Sequence, residues 1–189
     1  MENIKVLIAD PLEKEGIDIF RKGGFEVDEK GKMASDALAG IISSYDVVIV
    51  RSETKITKQV IEKAERLKII GRAGVGLDNI DLDAATHAGI IVMNAPEGNT
   101  ISAAEHTVAM MMALARNIPQ ANNSLKSGQW EKKKFMGQEL YNKILGIIGL
   151  GRIGRRVACI AHGLGMKVMG YDPLIDRVFA SEQGITLLN

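Results

Sequence analysis

Between Leu145 and Asp172 the chain reads LGIIGLGRIGRRVACIAHGLGMKVMGYD, and no other segment restricts the fold so tightly. An apolar run leads into Gly149-Leu150-Gly151-Arg152-Ile153-Gly154, a G-x-G-x-x-G. Behind it, Ile153, Val157, Ile160, Ala161 and Leu164 recur at helical spacing and mark one apolar face. Gly163 and Gly165 close that helix, and a second apolar run, Met166 to Tyr171, ends in Asp172. The pattern predicts strand, tight turn, helix, strand. Gly149 permits the turn, Gly151 lets a pyrophosphate approach the backbone, and Gly154 lets helix and strand pack closely. The N–H groups and positive dipole end of the helix then face the phosphates. Asp172 stands about 20 residues past the turn, where an acceptor suits both ribose hydroxyls and repels a 2′-phosphate. The cofactor expected is therefore NAD rather than NADP. Glycines alone would serve any tight β–α turn; the flanking strand, helix and acid make the dinucleotide reading specific.

At 189 residues the chain suits one or two domains of ~100–200 residues each. Its 46% hydrophobic and 25% charged content is that of an ordinary globular protein. A formal net charge of +1 supplies no global attraction for nucleic acid or an anionic membrane, so neither is expected as a partner. The single Cys159 excludes an internal disulfide and a Cys-based zinc site and fits a reducing cytoplasm. Met1-Glu2-Asn3 does not open a signal peptide, and no apolar run approaches ~18 residues.

The rest of the chain alternates strands and helices. Strands are expected at Ile4–Ala9, Phe25–Asp28, Asp46–Val50, Leu67–Ile70 and Ile90–Met93. Between them come helices over Leu12–Lys22 and after the capping candidates Ser35, Thr57 and Asp81. Short links between such elements predict an open parallel sheet, with ligands outside the strand C-termini. Arg51-Ser52 and Gly74-Val75-Gly76 fall at two such ends. An Arg there can fork to a carboxylate or phosphate, and free N–H groups of a Gly-rich turn can hold a second anionic oxygen. The alternative is a surface Arg beside a structural turn.

Ser102 to Arg116 reads as a helix with a Ser102/Glu105 capping box and almost no polar face, so it is expected to be buried on all sides, between domains or subunits. Asn117-Ile118-Pro119 breaks it before a helix over Gln120–Lys126. Lys132-Lys133-Lys134 after Trp130 is a solvated face or an anion contact across a subunit interface. None of the three histidines reads as catalytic: His87 and His162 sit near helix ends, and His106 is expected as a partly buried packing residue in the first turn of its helix. No His spacing suggests a metal, and no G-x-S-x-G suggests a serine nucleophile.

Several segments together resemble the D-isomer-specific 2-hydroxyacid dehydrogenases. They are VRSETK (50–55), GRAGVGLDNID (71–81), NAP (94–96), GNTISAAEHTVAMMMALAR (98–116), WEKKKFMG (130–137), LGIIGLGRIGRRVA (145–158) and YDP (171–173). The resemblance implies an α/β chain with a flavodoxin-like parallel-sheet substrate domain over 1–98, lacking its C-terminal return segment. An incomplete Rossmann NAD-binding domain over 99–189 follows. Arg51, Ser52, Gly74, Val75 and Asn99 would contact the carboxylate or phosphate of a small 2-hydroxy acid. Arg152 and Ile153, with Gly149, Gly151 and Gly154, would lie over the pyrophosphate of NAD, Asp172 on the adenosine ribose, and Val75 also towards the nicotinamide. Arg51 and the WEKKKFMG segment favour a phosphorylated substrate, with Lys132 reaching from a neighbouring subunit of a homodimer or homotetramer.

In that family the catalytic Arg, Glu and His lie further along than the matching segments, so no residue here is assigned a catalytic role. Residues 1–189 are accordingly expected to be a truncated form, inactive alone, with Ile147-Ile148 on a bare strand edge that invites association. Two other readings stand beside this one. The first is a relative acting on glyoxylate, hydroxypyruvate or D-lactate, and the second is a non-catalytic NAD-binding oligomerisation protein.

Overall fold

The computed structural model describes residues 3–188. The chain divides into two compact units, Met1–Gly98 and Asn99–Asn189.

In the first unit, strands β1 (Lys5–Ile8), β2 (Glu26–Glu29), β3 (Val47–Val50), β4 (Ile69–Arg72) and β5 (Ile91–Asn94) form one sheet in the order β2-β1-β3-β4-β5. Every pairing is parallel. That order is the flavodoxin-like one, and it places a switch point between β1 and β3. The connecting helices are α1 (Lys14–Lys22), α2 (Ser35–Ala39), α3 (Lys58–Glu62) and α4 (Leu82–His87), with a 3-10 turn at Ile42–Ser44. Near-continuous Val/Ile runs suit strands covered on both faces. Leu7, Val48, Val50 and Ile70 pack against Leu38, Ile42, Val60, Ile61 and Ala85, all buried. Burying each large aliphatic side chain stabilises the unit by about 1.5–3 kcal/mol. The alternate residues Val6, Val47, Ile49 and Ile69 turn to the other face, beside Leu12 and Phe20.

In the second unit, α5 (Thr100–Ala115) and α6 (Ile118–Lys126) precede β6 (Ile144–Ile148), α7 (Arg152–Gly163), β7 (Lys167–Tyr171), α8 (Arg177–Glu182) and β8 (Ile185–Leu187). The three strands form a parallel sheet in the order β6-β7-β8. Leu150, Ala158, Ala161, Met166, Val168, Ala180 and Ile185 make its core. Helix α8 was not expected from the sequence. Asp176 starts it by accepting the Phe179 N–H at 2.8 Å, and the Arg155 guanidinium lies 5.2 Å from the Phe179 ring centre.

Several local expectations need correction. Ser35 is the first helical residue rather than the cap; Ala34 holds the cap position, and Ser35 Oγ donates instead to the Lys55 carbonyl. Thr57 holds the cap position of α3 but makes no capping bond, and its buried Oγ1 has no partner among the described residues. Helix α5 begins at Thr100 with Asn99 as its cap, so Ser102 is inside the first turn and donates to the Asn99 carbonyl. The Ser102/Glu105 capping box therefore does not form. Within the unit only Ala104 and Val108 of α5 are buried, while Met110 and Leu114 are 60% and 78% exposed. His106 is exposed, not partly buried, and lies beyond the first turn. Among the described residues no helix is long and apolar enough to cross a membrane.

Candidate functional site

The glycine corner follows β6 directly. Gly149 has φ +90°, a conformation that side chains with a Cβ rarely adopt, and this turns the chain sharply from strand into helix. A Cβ on Gly154 would collide with the Gly149 carbonyl oxygen, so only glycine lets α7 start this close to the strand. A Cβ on Gly151, in contrast, would meet no protein atom within 4 Å. The side of the corner that Gly151 faces is open.

Asp172, just past β7, is half-buried and aimed into the corner. Its Oδ2 accepts the Leu150 N–H at 2.7 Å, and its Oδ1 accepts the Leu174 N–H at 2.9 Å. The Gly149 N–H donates to the Tyr171 carbonyl at 2.8 Å, so the turn is fastened to β7 twice. Each carboxylate oxygen keeps a lone pair for a further donor. Leu150 places its side chain in the core against Gly170 and its N–H on Asp172. Helix α7 has Gly151 as its cap, no side-chain cap bond and no acid in its first turn. The N–H groups of its first turn have no intrahelical acceptor. Arg152 and Ile153 open that helix, Arg152 exposed and Ile153 half-buried.

A second constellation sits at the C-terminal ends of β1, β3 and β4. Arg51 and Ser52 follow β3 and are exposed. The Arg51 guanidinium makes no ion pair among the described residues. Gly74, Val75 and Gly76 follow β4. The Val75 carbonyl is held by Asn94 Nδ2 at 2.7 Å, and no described residue accepts from the Val75 or Gly76 N–H. Arg72, which the sequence placed in the Gly-rich stretch after the strand and gave no role, is the last residue of β4 and the link between the two loops. Its Nε donates to the Arg51 carbonyl at 3.3 Å, and its guanidinium lies over Gly74, where a Cβ would be 2.5 Å from Nη1. The Arg72 guanidinium and two N–H groups without a described acceptor thus collect around one short stretch of backbone, next to the exposed residue Arg51, a setting for an anion.

Of the four buried polar residues among those described, Asp10, Thr54 and Asn79 also meet here. Sequence reasoning gave none of them a role. The only available signal was their position just after a strand or beside the Gly-rich turn.

The remaining expected residues lie elsewhere. Asn99 is exposed at the start of α5. Lys132 is exposed in the turn after Trp130, and Lys134 pairs with Glu131 at 3.2 Å. The Ser124 hydroxyl, and then Lys134, hold the Glu131 carboxyl below the usual range. His87 Nδ1 lies 2.7 Å from the Asp83 carbonyl and His162 Nε2 3.2 Å from the Gln183 carbonyl, each a helix-end contact. Among the described residues no group of three or more His, Cys, Asp or Glu is placed to hold a metal ion.

Residues 6–187 match the family described as D-isomer specific 2-hydroxyacid dehydrogenase, catalytic domain. The chain belongs to that family. It is 52% identical over 186 residues to the D-3-phosphoglycerate dehydrogenase of Archaeoglobus fulgidus, an overlap covering 98% of this chain and 35% of that protein. Its fold is similar to that of D-lactate dehydrogenase from Aquifex aeolicus complexed with NAD and lactic acid. The TM-score is 0.84 at 27% identity, covering 98% of this chain and 56% of that one. It is likewise similar to an acyclic imino acid reductase in complex with NADPH and D-Arg, with TM-score 0.85 at 31% identity, covering 98% and 60%. The chain spans 33–35% of the length of the curated relatives it matches.

Proposed function

We propose that this chain is the substrate- and NAD-binding part of a D-3-phosphoglycerate dehydrogenase, which oxidises D-3-phosphoglycerate to 3-phosphohydroxypyruvate. The 52% identity to the archaeal D-3-phosphoglycerate dehydrogenase supports this substrate. So do the unpaired Arg51 and neighbouring Arg72, because a phosphorylated hydroxy acid brings two anionic groups. In this reading Met1–Gly98 is the substrate domain and Asn99–Asn189 the dinucleotide domain, and the assembled enzyme is a homodimer or homotetramer.

The residues present fit NAD, and the observation that carries this reading is the open face of Gly151 beside the fixed carboxylate of Asp172. Gly151, Arg152 and Ile153 would hold the pyrophosphate through backbone N–H groups and the helix dipole. Asp172 would accept from the ribose hydroxyls with its spare lone pairs and exclude a 2′-phosphate. Relatives of this fold are described with NAD and with NADPH, so the choice falls to this residue. When bound, the nicotinamide supplies the hydride acceptor. The chain's own residues bind and orient: Arg51 and Ser52 would take one anionic group of the hydroxy acid, with Gly74, Val75 and Asn99 contributing backbone or amide donors. Calorimetric titration of residues 1–189 with NAD, NADP and 3-phosphoglycerate tests this. Binding of NAD but not NADP, with 3-phosphoglycerate preferred to D-lactate, is expected. Preference for NADP or for D-lactate would refute the respective assignment.

A further inference from the structure

At the switch point of the five-stranded sheet, the loop from Arg51 to Ile56 leaves β3 with its side-chain cation exposed, yet its backbone is tied at Arg51, Thr54, Lys55 and Ile56. Asp10, 2% exposed at the end of β1, accepts with Oδ2 from the Arg51 N–H at 2.6 Å and the Thr54 N–H at 3.2 Å. Thr54, fully buried, lies with Oγ1 2.7 Å from both Asp10 Oδ1 and the Ala9 carbonyl, with one proton for the two. That same oxygen accepts the Met33 N–H at 3.2 Å. From the other side Asn79 uses both hydrogens of its amide: one to the Arg51 carbonyl at 2.9 Å, one to the Thr54 carbonyl at 2.7 Å. The Asn79 backbone carbonyl takes the Ile56 N–H at 2.8 Å.

A buried carboxylate and a buried amide therefore grip the two ends of a four-residue arch, leaving Ser52 and Glu53 exposed at its top. A loop that only had to connect β3 to α3 would need none of this. Among the described residues nothing donates to the buried Asn79 Oδ1, an unfavourable desolvated acceptor left where both amide hydrogens serve the arch. Holding a cation's backbone before the ligand arrives removes the ordering cost from binding.

We infer that Asp10, Thr54 and Asn79 are positioning residues that pre-set the Arg51–Ser52 arch for an anionic substrate. The inference rests on the substrate reading above. Thr54→Val removes the hydroxyl at nearly constant volume, and Thr54→Ser restores it. The test is amide hydrogen exchange in residues 1–189, combined with titration by 3-phosphoglycerate and, separately, by NAD.

In the unmutated chain the Arg51 and Thr54 amides are expected to exchange slowly although Arg51 is exposed. Exchange at the rate of a free loop would overturn the inference without any variant. In Thr54→Val their protection is expected to fall by about tenfold or more while Val48 and Ile70 keep theirs. The affinity for 3-phosphoglycerate falls by about tenfold, NAD affinity is unchanged, and Thr54→Ser recovers both properties. A merely structural role would lower protection in the strands and leave the ligand split unmoved. If Thr54→Val binds 3-phosphoglycerate as tightly as the parent, the positioning role is wrong and the substrate reading survives. If the parent shows slow exchange but binds no 3-phosphoglycerate, the substrate reading fails and the positioning role falls with it.

Discussion

At the scale of single residues, the glycine corner separates packing from ligand binding. Gly154→Ala places a methyl against the Gly149 carbonyl, so α7 must move off β6. Overpacking of this kind costs about 1–3 kcal/mol, and thermal unfolding should show it as a lowered Tm. Gly151→Ala meets no protein atom and has an allowed φ of −66°, so its stability should change by less than about 1 kcal/mol. Its NAD affinity should nevertheless collapse if the proposed site is right, because the methyl would occupy the place assigned there to the pyrophosphate. Equal loss of stability in both variants would mean that the corner is only a turn. Asp172 carries two duties. Asp172→Ala orphans the Leu150 and Leu174 N–H groups and should cost about 1–3 kcal/mol in denaturant titration. The same variant should narrow the ratio of NAD to NADP affinity. The glycine corner was legible in the sequence because Gly149 and Gly154 answer backbone constraints that no other residue meets, with Gly151 between them on the open side. The bond from Asp172 to the Leu150 N–H was not legible, since register between β6 and β7 decides it.

At the scale of elements, the parallel sheet of the first unit followed from alternating apolar runs and helix signals, and so did the placing of Arg51 at a strand end; its flavodoxin-like order came only with the family resemblance. What escaped was capping and partnership. Ser102 matches a capping pattern, yet Asn99 starts α5, because the residue that leaves helical geometry is decided by the chain before it. Asp46 shows a buried polar group that no pattern announces. Its carboxylate accepts the Lys5 N–H at 3.0 Å and pairs with Arg66 at 3.1 Å, joining the start of β1 to the approach to β4. The Lys5 N–H, and then Arg66, hold the carboxyl below the usual carboxylate range. A group whose folded pKa is depressed stabilises the fold above its unfolded pKa, ~3.9, and loses that contribution as pH falls through the folded value. Asp46→Ala should therefore cost about 1.5–3 kcal/mol at neutral pH, and the gap to the parent should close in acid unfolding below about pH 4. A gap that stays constant down to pH 2 would show that packing, not charge, is lost. Tyr45 gives the opposite case. Burial first, then its hydrogen bond to Asp28, push the phenol up to about 12.

At the scale of the whole molecule, each unit leaves apolar surface uncovered. In the first, Ile91 and Met93 of the edge strand β5 are 59% and 57% exposed. In the second, Ile144 and Ile148 turn to the face of β6 away from α7 and are 63% and 90% exposed, whereas Ile147 packs into the core. Among the described residues β6 pairs only with β7, so its other edge has unpaired backbone. An apolar strand with an unpaired edge is a template for association. Sedimentation of residues 1–189 should show self-association that Ile148→Lys reduces; a parent that stays monomeric at high concentration would contradict this. The most direct test of the dinucleotide reading is an NAD titration of residues 1–189 followed at the backbone amides. Gly151, Arg152 and Ile153 should shift saturably together with Asp172, while NADP moves none of them. Saturable NAD binding that leaves those four amides unmoved would contradict the assignment of the glycine corner.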